Sequence, residues 1–365
     1  MKKVYVILSV ILTIMIAIFL YANIRTPIRV ALIGNFEEDR NNFITDPIIS
    51  ARIAESDINK SAGILGKRTE LIVINSDFTK PKELASNIKD KGIEAVITTV
   101  STKDLLKLKP YLDKDKITCI AVGSTANALS SDKDYIFRLF PDDNKEIGVL
   151  LSYIKDKGEN SKFNIIYDKS NLEYKNSVEN TIIHNDGRLN KEITWNDNVL
   201  TAYLGNLEDF ENTTNIIVAG SRDSALIVQK LRKLGVSKTI YGLSWSGDFN
   251  LIYYGGKAIN GFVFTTPVDF TFSKGDNKKL TSELKSVYNK ENGLLPSGVY
   301  EAYMTIKYSY YEMHNEHISF KEALERREKF MGFDGDIPFD KYGDSKGKEY
   351  IFTVINGQFT KLEEK

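Results

Sequence analysis

Residues 95–127 read AVITTVSTKDLLKLKPYLDKDKITCIAVGSTAN. Residues 95–99 and 117–122 are short, rich in apolar residues and not alternating, the pattern of strands covered on both faces. Between them Leu105, Leu106, Leu108 and Leu112 interleave with lysines and aspartates. That spacing predicts an amphipathic helix over 104–112 with one solvated face, not a nucleic-acid patch. The same alternation runs from residue 28 to about 265. Further strands are predicted at 28–33, 71–75, 163–167, 215–219, 239–243 and 261–265. Asp46-Pro47 offers an N-cap and a first-turn proline, and Ile48, Ala51, Ala54 and Ile58 follow at helical spacing. Ile147, Leu150, Leu151 and Ile154 mark a second helix. Ile227, Val228, Leu231 and Leu234 mark a third, ended by Gly235. Alternating strands and helices predict an α/β fold of parallel sheets flanked by helices.

The last third changes character. Residues 278–291, 298–314 and 320–327 are predicted to be helices. Residues 333–344 are rich in turn formers, and a strand over 350–355 precedes an Asn356-Gly357 turn. Upstream of the alternating region, residues 4–22 (VYVILSVILTIMIAIFLYA) hold 19 residues without a charge, after Lys2 and Lys3. Such a run can cross a hydrocarbon core of about 30 Å as a helix. The flanking lysines place the remainder of the chain outside the cytoplasmic membrane. The run is longer than a typical signal-peptide core, and Leu20-Tyr21-Ala22 is a poor cleavage site. A retained anchor is the first reading and a cleaved signal the second. A lipid anchor would need a cysteine nearby, and the single cysteine is Cys119.

The chain has 365 residues, enough for two lobes of roughly 120–170 each after that leader. Lys+Arg and Asp+Glu both number 49, so no net charge favours a nucleic-acid partner. One cysteine cannot form an internal disulfide, and Cys119 sits in an apolar strand as a small core residue. No catalytic signature stands out: there is no G-x-S-x-G and no phosphate-binding G-x-x-x-x-G-K-S/T. His314 and His317 are near enough in sequence to pair on a metal, but no further ligand is evident. Neither a metal nor a cofactor is expected.

The positive signal lies at strand ends, where open α/β sheets bind ligands. Ser101-Thr102, Ser124-Thr125 and Ser221-Arg222-Asp223 each follow a predicted strand. Hydroxyls and amides at a helix start suit an anion, or they simply cap the helix. The succession of segments adds to this: IRVALIG at 28–34, INKSAGILGKR at 58–68, STANAL at 124–129, YIFRLFPDD at 135–143, IIYD at 165–168 and FDGDIPFDKYGD at 333–344. In this order they closely resemble the type I periplasmic-binding-protein family, in its branched-chain amino-acid receptor branch.

The resemblance implies a non-enzymatic solute receptor with two Rossmann-like lobes joined by a three-strand hinge. A small polar metabolite, amino acid or amide-like, would be captured between them for an ABC-type importer and its membrane permease. The alternative is a membrane-tethered sensor that signals to a membrane partner, and an enzyme comes third. Lobe one is expected at 26–142 and 268–330, lobe two at 143–267 and 331–362, after an anchor or signal segment at 1–25. The family's carboxylate contacts correspond to Thr102 (with Ser101 beside it), Ser124 and Thr125. Its ligand-packing tyrosine corresponds to Tyr174, and its next contact to Ser221 or Arg222. Where the family commonly carries an acid for a ligand ammonium, this chain has Ser244-Trp245-Ser246. Asp223, or Asp248 further on, is left as the substitute. Trp245 either floors the pocket or belongs to the core. The loop 35–40, NFEEDR, replaces a glycine-rich sequence. Plain leucine, isoleucine or valine is therefore expected to bind weakly.

Overall fold

The computed structural model describes residues 5, 11–15, 26–36, 45–76, 78–93, 95–159, 161–195, 207–273 and 275–365. The predicted anchor, 4–22, lies largely outside these. Among the described residues no helix is long and apolar enough to cross a membrane.

Two sheets organise the chain. The first is built from β1 (Ile28–Gly34), β2 (Thr69–Asn75), β3 (Ala95–Thr98), β4 (Thr118–Ala121), β5 (Ile136–Pro141) and the short β13 (Asp344–Ser345). Its order is β13-β5-β4-β3-β1-β2, with every pair parallel. The second holds β6 (Lys162–Tyr167), β7 (Arg188–Thr194), β8 (Thr214–Val218), β9 (Ile240–Gly242), β10 (Val263–Thr266), β14 (Tyr350–Ile355) and β15 (Gln358–Glu364). Its order is β15-β14-β10-β9-β8-β6-β7, parallel except that β14 runs against both of its neighbours. A separate antiparallel ribbon pairs β11 (Lys329–Phe330) with β12 (Ile337–Pro338). A two-residue hairpin loop, Asn356-Gly357 with φ of 51° and 74°, makes the reversal from β14 to β15. Positive φ at both central residues matches the strand twist and suits Asn-Gly.

Helices cover both faces of each sheet. In lobe one these are α1 (Pro47–Lys60), α2 (Pro81–Asp90), α3 (Thr102–Asp115), and later α9 (Gly275–Tyr288), α10 (Leu294–Glu316) and α11 (Phe320–Arg327). In lobe two they are α4 (Asp143–Asp156), α5 (Leu172–His184), the short α6 (Leu207–Glu211), α7 (Ser221–Lys233) and α8 (Phe249–Gly255). The predicted stripe Ala51, Ala54 and Ile58 is buried in one core with Val299, Tyr303 and Ile306 of α10. Leu105, Leu108 and Leu112 of α3 pack on the other face with Val96 and Cys119. In lobe two, Ile147, Leu150 and Ile154 lie in a core with Phe163, Ile165 and Val178. Among the strands that escaped the sequence reading are β7 and β5. β7 is an edge strand with little apolar patterning, Arg-Leu-Asn-Lys-Glu-Ile-Thr, and charge on an edge is how sheets avoid pairing with other chains. β5 is apolar throughout except for Arg138, which is buried all the same.

The chain passes between the sheets three times: after β5, after β10, and between β13 and β14. The last passage was expected near residue 331. The segment up to 345 instead stays with the first sheet, because β13 pairs with β5. Behind that pairing is an ion pair. Arg138 is 1% exposed, and its Nε donates to Asp344 Oδ1 at 2.8 Å. Its remaining nitrogens donate to the Thr125 and Ala126 carbonyls and to Ser130 Oγ. A guanidinium taken out of water must have its donors satisfied, and here they draw the loop after β4 and the returning chain onto β5.

Candidate functional site

In both sheets the strand order reverses once along the parallel part, between β1 and β3 and between β6 and β8. Neighbouring loops there leave in opposite directions and open a crevice at the strand ends. The two crevices face each other. One cavity of about 590 Å³ is lined by Phe36, Asn75, Thr45, Ser221, Trp245 and Asp248, among others. A second of about 430 Å³ is lined by Asn35, Ser101, Asp168, Tyr174, Gly220 and Trp245, among others. Gly220, Trp245 and Leu295 belong to both, so the two are parts of one interlobe cleft.

The lobe-one hydroxyls come together, but their partners are internal. Ser124 Oγ donates to the Val100 carbonyl at 2.7 Å. Thr102 Oγ1 accepts from the Ala126 amide at 3.1 Å. Thr102 and Ser124 are 4% and 2% exposed. The Thr125 hydroxyl faces the buried Asp143 carboxyl, without reaching hydrogen-bond geometry. These loops are packed tightly enough that a Cβ at Gly123 would lie 2.5 Å from the Thr99 carbonyl oxygen. None of the three lines the cleft; Ser101 does.

Lobe two presents more. Trp245 is half-buried on the loop after β9 and borders both parts of the cleft. Ser221 opens α7 at the wall. Arg222 points away, its guanidinium 5.4 Å from the centre of the Tyr254 ring. Asp223 lies one residue further into α7 and does not line the cleft. Asp248 does: its carboxylate accepts from the Asn250 amide at 3.1 Å and from Thr45 Oγ1, across the cleft, at 3.4 Å. Burial pushes the Asp248 carboxyl up to about 6, against the pull of those hydrogen bonds.

Two helix starts border the cleft without a side-chain cap, α3 at Ser101 and α7 at Gly220. The amides of a helix start and the helix dipole favour negative charge. The start of α1 differs, because Asp46 caps it by accepting from the Ile48 and Ile49 amides. Lys103, Asp104 and Asp168 line the same part as Ser101, and Asp46 and Asp248 the other, so the cleft sets helix-start amides among several carboxylates.

Sequence reasoning missed Glu146. It lies in the first turn of α4, 2% exposed. One of its oxygens accepts from the Ser244 amide and hydroxyl and from Thr265 Oγ1; the other accepts from the Tyr174 hydroxyl at 3.0 Å. One carboxylate thus holds the Trp245 loop, the end of β10 and Tyr174. An acid in a first helical turn is ordinarily solvated, and no pattern in the sequence marked this one. Tyr174 borders the cleft, and its hydroxyl donates to Glu146.

Comparison with known proteins agrees with this fold. A sequence profile of the periplasmic binding protein family matches residues 27–353. The chain belongs to that family. No curated protein sequence matches it. Among solved structures it is similar to a leucine-binding protein, LivK, from Thermotoga maritima. The identity is 20%, covering 92% of this chain and 98% of that one, with a TM-score of 0.76. It is also similar to the branched-chain amino-acid transporter substrate-binding protein LivJ from Streptococcus pneumoniae in complex with isoleucine. That pair is 16% identical over 92% and 100% of the two chains, TM-score 0.77. A Rhodopseudomonas palustris solute-binding protein in complex with benzoate is 11% identical over 93% and 96%, TM-score 0.76. Proteins of this one fold thus hold isoleucine in one case and benzoate in another. Among the described residues no three His, Cys, Asp or Glu side chains gather as they would around a metal ion.

Proposed function

We propose that this chain is the solute-binding component of an ABC-type importer, and that it captures a small amino-acid-like or amide-like molecule in the interlobe cleft. The observation that carries the reading is the cleft itself: both sheets aim their crevices at one space that joins uncapped helix amides, an indole and carboxylates. An acidic group of the solute belongs at the starts of α3 and α7, with Ser101 and Ser221 beside it. Trp245 and Tyr174 pack its body, and Asp248 takes a cationic or amide nitrogen. Thr102, Ser124 and Thr125 support this site by fixing the loops behind Ser101. The acid missing after β9 is thus replaced three residues beyond Trp245, by Asp248 and not by Asp223.

The partner implied is a membrane permease, and residues 4–22 would hold the protein at the outer face of the cytoplasmic membrane. Native mass spectrometry of the purified protein, followed by identification of released small molecules and titration calorimetry with them, tests the reading. A bound solute whose affinity falls in Trp245→Ala and Asp248→Asn supports it. Turnover of the solute, or affinity indifferent to both changes, overturns it. N-terminal sequencing of the protein from membrane and soluble fractions tests the anchor; a soluble form beginning near residue 23 rejects it.

A further inference from the structure

The three passages between the lobes enclose a cavity of their own. It measures about 290 Å³ and shares no lining residue with the cleft. That volume lies near the lower end for small-molecule sites. Phe140, Pro141, Pro267, Phe333, Ile337 and Tyr350 give it apolar walls, drawn from all three passages.

One wall carries Glu301 of α10, only 7% exposed. Its Oε1 accepts from the Phe333 amide at 2.8 Å. No ion pair reaches the carboxyl, which lines the cavity. The lysines at the cavity are engaged elsewhere, Lys346 with Asp340 and Lys348 with Glu364. Burial, and then the neighbouring Asp334, push the Glu301 carboxyl up to about 8. An acid this deeply buried without a cationic partner is costly to keep charged, and groups of this kind ordinarily find one. A donor that also brings a positive charge would satisfy the carboxylate and offset both acids. The aromatic walls suit the body of such a molecule.

We propose that this cavity is a second ligand site, for a compact primary amine with an aromatic or branched aliphatic body, its ammonium on Glu301 and its body against Phe140, Phe333 and Tyr350. The site lies outside the cleft, and the proposal does not depend on the identity of the solute bound there. Because its walls are the segments that must bend when the lobes move, an occupant biases the lobe angle toward the arrangement in which the cavity fits it.

Titration calorimetry of the full chain at neutral pH tests this with phenethylamine and with its uncharged analogue 2-phenylethanol. Phenethylamine is expected to bind, and 2-phenylethanol to bind at least tenfold more weakly. Glu301→Gln should weaken phenethylamine at least tenfold. Ile337→Phe, which fills the cavity and keeps the carboxyl, should do the same. Trp245→Ala in the cleft should leave phenethylamine binding unchanged. The proposal is overturned by no phenethylamine binding to the wild type, by equal binding of amine and alcohol, or by unaltered binding in Glu301→Gln. It is equally overturned if Trp245→Ala abolishes the binding while Ile337→Phe does not, since the amine then sits in the cleft.

Discussion

The loop after β4 and the loop after β9 hold equivalent places in the two sheets, each following the strand one beyond the reversal. The first reads Gly-Ser-Thr-Ala-Asn and the second Ser-Trp-Ser-Gly-Asp. In both, the hydroxyls serve the protein. Ser124 bonds the loop after β3; Ser244 bonds Glu146, and Ser246 Oγ donates to the Ala219 carbonyl at 3.2 Å. The loops differ in what lies between the hydroxyls. In lobe one Arg138 grips the carbonyls of Thr125 and Ala126 and seals the loop against β5. In lobe two the same stitching leaves Trp245 and Asp248 at the cleft wall. A serine at a strand end is therefore a fastening as readily as a contact, and its existing partners decide which.

The most severe way to break the sealed loop is Asp344→Ala, which leaves the Arg138 guanidinium buried and uncompensated. Loss of one partner of a buried pair costs about 3–5 kcal/mol, so denaturant melts should shift by that much. A loss below about 1 kcal/mol would mean the lobe-one loop does not depend on this pair. On the other side of the comparison, Trp245→Ala should lower solute affinity about 10- to 100-fold, in the range of a central aromatic contact, with the melt nearly unchanged. Calorimetry with the retained solute measures it.

Asp248 supplies a pH-dependent contrast. Its carboxyl is raised to about 6, so between about pH 4 and 6 the folded chain holds a proton that the unfolded chain has released. Stability contributed by this group therefore falls as the pH rises through that window. Asp248→Asn should remove that part of the slope in melts taken from pH 4 to 7. Affinity for a cationic solute should run the other way, rising about tenfold between pH 5 and 7 as the carboxylate forms, and staying flat in the variant. The smallest effect expected is that of Thr102→Val. It removes the acceptor of the Ala126 amide and should cost about 1 kcal/mol of stability, with solute affinity unchanged. A tenfold affinity loss there would return Thr102 to the contact surface.

Much of the fold was legible because apolar runs and helical stripes repeat from β1 to β10, and because the blocks around Arg138 and Asp344 meet physically in one ion pair. β7 escaped because an edge strand needs few apolar residues. The passage after β13 escaped because a two-residue strand carries no pattern. At the site, the sequence indicated which loops matter but not which atoms are free. Thr102 and Ser124 look like ligand contacts until their partners are known. Glu146, which holds three parts of lobe two in place, shows no local signature, since its function depends on residues as far away as Thr265.

The two indoles of the chain also sit in unlike surroundings. Trp195 is 8% exposed at the end of β7, with the Lys230 ammonium 5.1 Å from its ring, whereas Trp245 borders the cleft. Under excitation that tyrosine does not absorb, a Trp195→Phe protein would emit from the cleft alone. Its fluorescence spectrum would then follow solute entry and lobe closure without any attached dye, and the protein could serve as an optical sensor for whatever it captures.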